Sequence, residues 1–137
     1  MKVEDIMNTD VVTIDMDARL KTVKEIFNKR KFHHILVTED NELVGVVSDR
    51  DILKELSPFI DTSSERPQDR STLDRRMHQI MTRKPITTEK ETTIEEAADI
   101  FIKENISCLP ILSSQKEIIG IITRKDILKK LEFKKRR

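Results

Sequence analysis

The 137-residue chain predicts an α+β fold, sandwich-like in its mixing of helix and sheet, made of two β-α-β-β-α units related by a pseudo-two-fold axis. Three observations predict it. The two glycines head the same stretch, Gly45-Val46-Val47-Ser48-Asp49-Arg50-Asp51 and Gly120-Ile121-Ile122-Thr123-Arg124-Lys125-Asp126, an offset of 75 (120 − 45). Upstream of each, the same apolar runs recur at an offset of 74 (81 − 7). A half of roughly 55–60 residues buries too little surface alone, whereas two similar halves packed together cover one another's open faces.

Each element follows from local pattern. Val3, Ile6 and Met7 suggest a short helical turn, and Val11-Val12-Thr13-Ile14 a short strand, since β-branched residues fit a pleated surface. Leu20, Val23, Ile26 and Phe27 recur at helical spacing, with Asp17 a plausible cap just before them. His34 to Thr38 and Leu43 to Ser48, joined by Glu39-Asp40-Asn41-Glu42, read as a β-hairpin, and Asp49 to Leu56 as a helix. The second half repeats this. Ile80-Met81-Thr82 echoes Ile6-Met7-Asn8, and Pro85-Ile86-Thr87-Thr88 echoes the first strand. Ile94, Ala97, Ala98 and Phe101 form a helix face, opened by Thr93 with Glu96 three residues on, a capping-box pattern. Ser107 to Ile111 aligns with His33 to Val37, and the change of offset places one inserted residue in the second hairpin turn near Gln115-Lys116. The expected organisation is a first repeat at 1–56, a linker or mobile loop at 57–76 rich in turn formers and charge, a second repeat at 77–132, and a basic tail at 133–137.

Composition narrows the function. Charged residues make up 37% of the chain but net charge is only +1, so no global field draws nucleic acid or an acidic partner. The terminal Lys/Arg cluster reads as a solvated tail. No apolar run approaches the ~20 residues that span a membrane, and Glu4 and Asp5 stand where a signal peptide carries basic charge. A cytoplasmic protein fits. Cys108 is the one cysteine and reads as a structural residue. His33 and His34 are neighbours on a strand and point to opposite faces, which disfavours joint metal binding, so no metal is expected. Glycine-rich phosphate loops, nucleophile elbows and H-E-x-x-H or C-x-x-C patterns do not occur, and no catalysis is expected.

The motif residues admit two readings. Ser48-x-x-Asp51 and Thr123-x-x-Asp126 are helix-capping patterns. They also suit a nucleotide, because a helix N-terminus offers free N–H groups to a phosphate and a carboxylate accepts hydrogen bonds from a cis-diol. Gly45 and Gly120 would let another backbone or a ligand approach closely, and Val46 and Ile121 could floor an adenine ring.

The doubled h-h-G-h-h-[ST]-x-x-D motif, with Leu109-Pro110-Ile111 before its second copy, resembles the CBS domain, and two in tandem resemble a Bateman module. The resemblance covers nearly the whole chain except 57–76 and the tail. It implies a regulatory module that takes adenosine-containing ligands (AMP, ADP, ATP or S-adenosylmethionine) in clefts between the repeats, with no cofactor required. It implies that Ser48 and Asp51, walled by Thr82, Pro85, Thr87 and Ser107, form one site. It implies that Thr123 and Asp126, walled by Asn8, Val11, Thr13 and His33, form the other, with His34 and Cys108 facing the ligand. It also implies a homodimer of modules and a regulated protein partner. The repeats differ at Leu36/Pro110, Asn8/Thr82 and Arg19/Thr93, so the two sites are not equivalent, and the Ser48/Asp51 site is expected to bind better. The alternative is a degenerate pair that serves dimerisation or protein interaction without a nucleotide.

Overall fold

The computed structural model describes residues 1–30 and 33–135, with side chains described to Leu131. The chain forms two compact units, one continuous (Val12–Lys84) and one split (Met1–Val11 with Pro85–Arg137). The basic tail expected at 133–137 lies outside the described side chains.

In the continuous unit, the β-branched runs make β1 (Thr13–Asp15), β2 (His34–Glu39) and β3 (Glu42–Ser48). β1 runs parallel to β2, β2 antiparallel to β3, and β4 (Thr82–Arg83) adds antiparallel to β3. The first strand begins two residues later than the pattern Val11–Ile14 suggested, and Val12 instead packs against the core. Asp40 and Asn41 take left-handed backbone (φ 50° and 66°), which gives the two-residue hairpin loop the twist of its strands. α1 (Leu20–Lys29) lays Leu20 and Val23 into the core, joined by Ile35, Val37, Val47, Ile52 and Met77. Asp17 does not cap α1, as its position suggested. The N-cap is Arg19 with no side-chain cap, and the first helical N–H, that of Leu20, donates to Arg75 O at 2.7 Å. α2 (Asp49–Glu55) closes this part.

Residues 57–76 carry α3 (Pro67–Arg70), a 3₁₀ turn at Ser71–Asp74 and buried Leu73. Side chains tie the segment to its unit: Lys24 on Asp61, Arg19 on Asp74, Arg75 on Glu55, and Arg70 on both Asp61 and Glu65. α4 (Met77–Ile80) follows.

The split unit repeats the plan with β5 (Thr88–Glu89) parallel to β6 (Cys108–Leu112), and β6 antiparallel to β7 (Ile118–Thr123). The stretch read as the strand Pro85–Thr88 keeps strand pairing only at its end, where β5 begins; Pro85 has no N–H to give a ladder. The extra hairpin residue lies in the turn: Thr38 pairs with Leu43, but Leu112 with Ile118, and Lys116 takes a left-handed φ of 63°. α5 (Ile94–Lys103) is capped by Thr93, whose Oγ1 accepts from Glu96 N at 3.1 Å, as the capping pattern predicted. α6 (Arg124–Lys135) completes the unit.

The core of the split unit gathers Val3, Ile94, Ala97, Phe101, Leu109, Ile111, Ile122 and Ile127. Val3 comes from the far N-terminus, so each unit is finished by a segment that precedes the other repeat in sequence. The two insertions match bond for bond. Val3 N donates to Thr92 O (2.8 Å) and Ile94 N to Met1 O (3.1 Å). At the 74-residue offset, Met77 N donates to Ala18 O (2.9 Å) and Leu20 N to Arg75 O (2.7 Å). Asn8 bridges Ile121 as Thr82 pairs with Val46.

Candidate functional site

Both glycines have φ in ordinary regions, so space rather than backbone freedom requires them. A Cβ on Gly45 would meet Met81 Cγ at 2.8 Å and Thr82 O at 3.0 Å. One on Gly120 would meet Met7 Cγ at 2.9 Å and Asn8 O at 3.2 Å. The close approach expected at each glycine is therefore that of an inserted segment, whose methionine lies over the strand. In each unit the motif strand is thereby fixed four residues before the helix it feeds, at Gly45 ahead of Asp49 and at Gly120 ahead of Arg124.

At the end of β3, Ser48 Oγ accepts from Asp51 N (3.2 Å) and Asp51 Oδ2 accepts from Ser48 N (2.9 Å). At the end of β7, Asp126 Oδ2 accepts from Thr123 N (2.8 Å) and from Thr123 Oγ1 (2.9 Å), and Thr123 Oγ1 accepts from Asp126 N (3.3 Å). Both motifs are closed capping boxes, and all four residues are half-buried. Each aspartate commits Oδ2 to its own backbone. Among the described residues, no hydrogen bond reaches the Oδ1 of either.

The remaining expected residues sort by unit. Val46 and Thr82 are register partners in the continuous unit, two residues before Ser48. Ile121 and Asn8 are partners in the split unit, two residues before Thr123. Val11, Pro85, Thr87 and Ser107 belong to the split unit, and Thr13 and His33 to the continuous one. Thr13 pairs with Leu36 on β1. His34 and Cys108 are the first residues of β2 and β6, half-buried and buried.

One feature beside the first motif was not read from the sequence. His33 Nδ1 lies 2.8 Å from Asp49 Oδ2, and Asp49 N donates to His33 O at 2.9 Å. Burial opposes ionisation of Asp49, but the hydrogen bonds from His33 and Arg50 N, with the charges of His33 and His34, outweigh it and hold the carboxyl below the usual range. The signal was the charge of the residue after the hydroxyl. Its counterpart in the other motif is Arg124, whose Nη2 donates to Phe101 O at 3.2 Å.

Among the described residues, no group of three or more His, Cys, Asp or Glu side chains is placed to hold a metal. No described helix is long and apolar enough to cross a membrane.

Two sheets, each ending a strand in a hydroxyl–carboxylate cap, define a tandem-repeat α+β module. The CBS domain model matches residues 3–58 and 77–132, and the chain belongs to the CBS domain family. It is 30% identical over 92% of its length, and 88% of the other, to the CBS domain-containing protein DDB_G0289609 of Dictyostelium discoideum. It is 30% identical to the uncharacterized protein MJ1225 of Methanocaldococcus jannaschii, covering 93% of this chain but only 46% of that longer protein. Among solved structures, CBSX2 in complex with AMP superposes with a TM-score of 0.75 at 26% identity, over 97% of this chain and 98% of that one.

Proposed function

We propose that the chain is a regulatory module that binds adenine nucleotides of the AMP, ADP and ATP class at its two cap motifs. One observation carries the reading: Asp51 and Asp126 each spend one oxygen on the cap and keep Oδ1 for a further donor. A ribose cis-diol supplies such donors. The relative that binds AMP, and membership of the family, support the same ligand class. Thr82 beside Val46 and Asn8 beside Ile121 supply polar groups next to an apolar floor in each unit. Pro85, Thr87, Ser107, Val11, Thr13, His33, His34 and Cys108 remain the proposed walls. Binding shifts a conformational population by no more than the ligand's differential affinity for the two states. The signal passes to a protein partner or through a homodimer, for which exposed Leu53 on α2 and Leu128 on α6 offer apolar helix surface. The module acts by binding, not by catalysis.

The test is thermal shift and calorimetry with AMP, ADP, ATP and S-adenosylmethionine on the wild type and on Asp51→Asn and Asp126→Asn. Asparagine keeps an oxygen for the cap but presents an amide donor to the diol, so folding is retained and binding at that motif falls tenfold or more. Silence of the folded wild type toward all four ligands would overturn the proposal.

The second reading is a purely structural pair. It is favoured by the closed capping boxes, which account for Ser48, Asp51, Thr123 and Asp126 without a ligand. Under it, the asparagine variants match the wild type in every ligand assay.

A further inference from the structure

We infer that Asp49 is a specificity-determining residue of the first motif: its carboxylate stands where a phosphate would sit, so that among adenosine-containing ligands this motif favours those with the fewest phosphates. The inference rests on the nucleotide reading above and narrows it to a ligand class at one motif.

The backbone donors carry it. A helix start leaves its first N–H groups without partners inside the helix, and these are the groups a phosphate would use. At α2 all four already have acceptors within the continuous unit. Ser48 N donates to Asp51 Oδ2 (2.9 Å) and Asp51 N to Ser48 Oγ (3.2 Å). Asp49 N donates to His33 O (2.9 Å), and Arg50 N to Asp49 Oδ1 (2.8 Å). The other oxygen of Asp49, Oδ2, lies 2.8 Å from His33 Nδ1, so the carboxylate is held over the helix start by a partner on each oxygen. A phosphate arriving there meets no open amide and a fixed negative charge. A ribose diol meets no such conflict, because it donates to Asp51 Oδ1 and needs none of the amides.

The second motif lacks this device. Arg124 stands at the position of Asp49, with Nη2 donating to Phe101 O (3.2 Å), and Lys125 follows it. Among the described residues no acceptor takes Lys125 N, the counterpart of Arg50 N. Residues 48–51 carry one net negative charge, and residues 123–126 one net positive charge. The hydroxyl and the aspartate are common to both caps, so the residue after the hydroxyl makes the difference. A carboxylate at a helix start also stabilises the helix dipole, which would account for Asp49 without a ligand. That role alters stability and leaves ligand preference unmoved, so preference is what the test reads.

Affinities for adenosine, AMP and ATP are measured by calorimetry in low-salt buffer on the full chain carrying Asp126→Asn, which weakens the second motif. Adenosine is expected to bind more tightly than AMP, and AMP more tightly than ATP. Adding Asp49→Ala removes the charge and frees Arg50 N. AMP is then expected to gain roughly fivefold or more on adenosine, the effect of one unit charge about 4 Å away in water. Asp49→Asn keeps an acceptor for Arg50 N and loses only the charge, so it covers misfolding of the alanine variant and should move the ratio the same way. In the mirror experiment, Arg124→Asp in the chain carrying Asp51→Asn should cost AMP a similar factor against adenosine. AMP bound more tightly than adenosine at the first motif, or a ratio unmoved by both Asp49 variants in folded protein, overturns the inference and leaves the nucleotide reading standing. So does loss of all binding in Asp126→Asn when the wild type binds. Silence of the folded wild type toward adenosine and every ligand of the earlier test overturns both.

Discussion

Gly45→Ala tests the packing that orders the first motif strand. The added Cβ would stand 2.8 Å from Met81 Cγ and 3.0 Å from Thr82 O, with Met81 Sδ closer still. Removing a glycine whose φ is ordinary restrains the unfolded chain and favours folding by about 0.4–1 kcal/mol. Overpacking opposes it by about 1–3 kcal/mol, since Met81 must leave its place against the core and the Thr82 carbonyl is backbone that cannot swing aside. The net expectation is a destabilisation of about 1–2 kcal/mol. Met81→Ala alone loses a half-buried side chain, about 1–2 kcal/mol when the range for a fully buried methionine is halved. The double variant removes the group that the new methyl displaces, so the two costs sum to less than their total by about 1 kcal/mol. Urea denaturation of the four proteins measures the cycle. Additivity within about 0.5 kcal/mol would refute the reasoning. The same cycle on Gly120 and Met7 should give the same sign, because a Cβ there meets Met7 Cγ at 2.9 Å and Asn8 O at 3.2 Å.

The other predictions are shorter. Asp49 has a depressed folded pKa, so its contribution to stability is present above the unfolded carboxylate value, about pH 4, and is lost as pH falls through the lower folded value. His33→Ala should raise the Asp49 titration midpoint seen by carboxyl-carbon NMR, and an unmoved midpoint would refute the role given to His33. Arg70 is held above its usual range by hydrogen bonds to Glu65 and Asp61, on an exposed surface where salt screens charge. Limited proteolysis within 57–66 should therefore quicken as salt is raised from about 0.01 M to about 1 M, which shortens the Debye length from about 30 Å to about 3 Å, and Arg70→Ala should be fast at all salt concentrations. Thr93→Ala removes the acceptor for Glu96 N and should cost about 0.5–2 kcal/mol, measured by thermal melting.

The repeat and its order of elements were legible because periodicity, β-branched runs and turn residues act locally. The single extra residue was legible because an indel changes the offset between matched elements, and the turn at Ser113–Glu117 absorbs it. The cap at Thr93 was legible from residue types three positions apart. The cap of α1 was not: Asp17 has the right chemistry, but Leu20 N finds its acceptor at Arg75, across the fold. Assignment of Met7 to Gly120 and Met81 to Gly45 was illegible for the same reason. The residues stood in matched positions, but nothing local says which strand a short segment will cover. The candidate site divides likewise. The hydroxyl–carboxylate caps follow from spacing, whereas the His33–Asp49 pair depends on the turn into α2 returning beside the start of β2.

The interleaving of segments also sets an order of assembly. On a ribosome, Val12–Lys84 has all its parts as soon as its last residue emerges. Residues 1–7 are made more than eighty residues ahead of Thr92, Ile94 and Gly120, which receive them. At about 5–20 residues per second, they wait on the order of 4–20 seconds before they can be covered. A segment that emerges ahead of both sheets is thus seated only after the second is made.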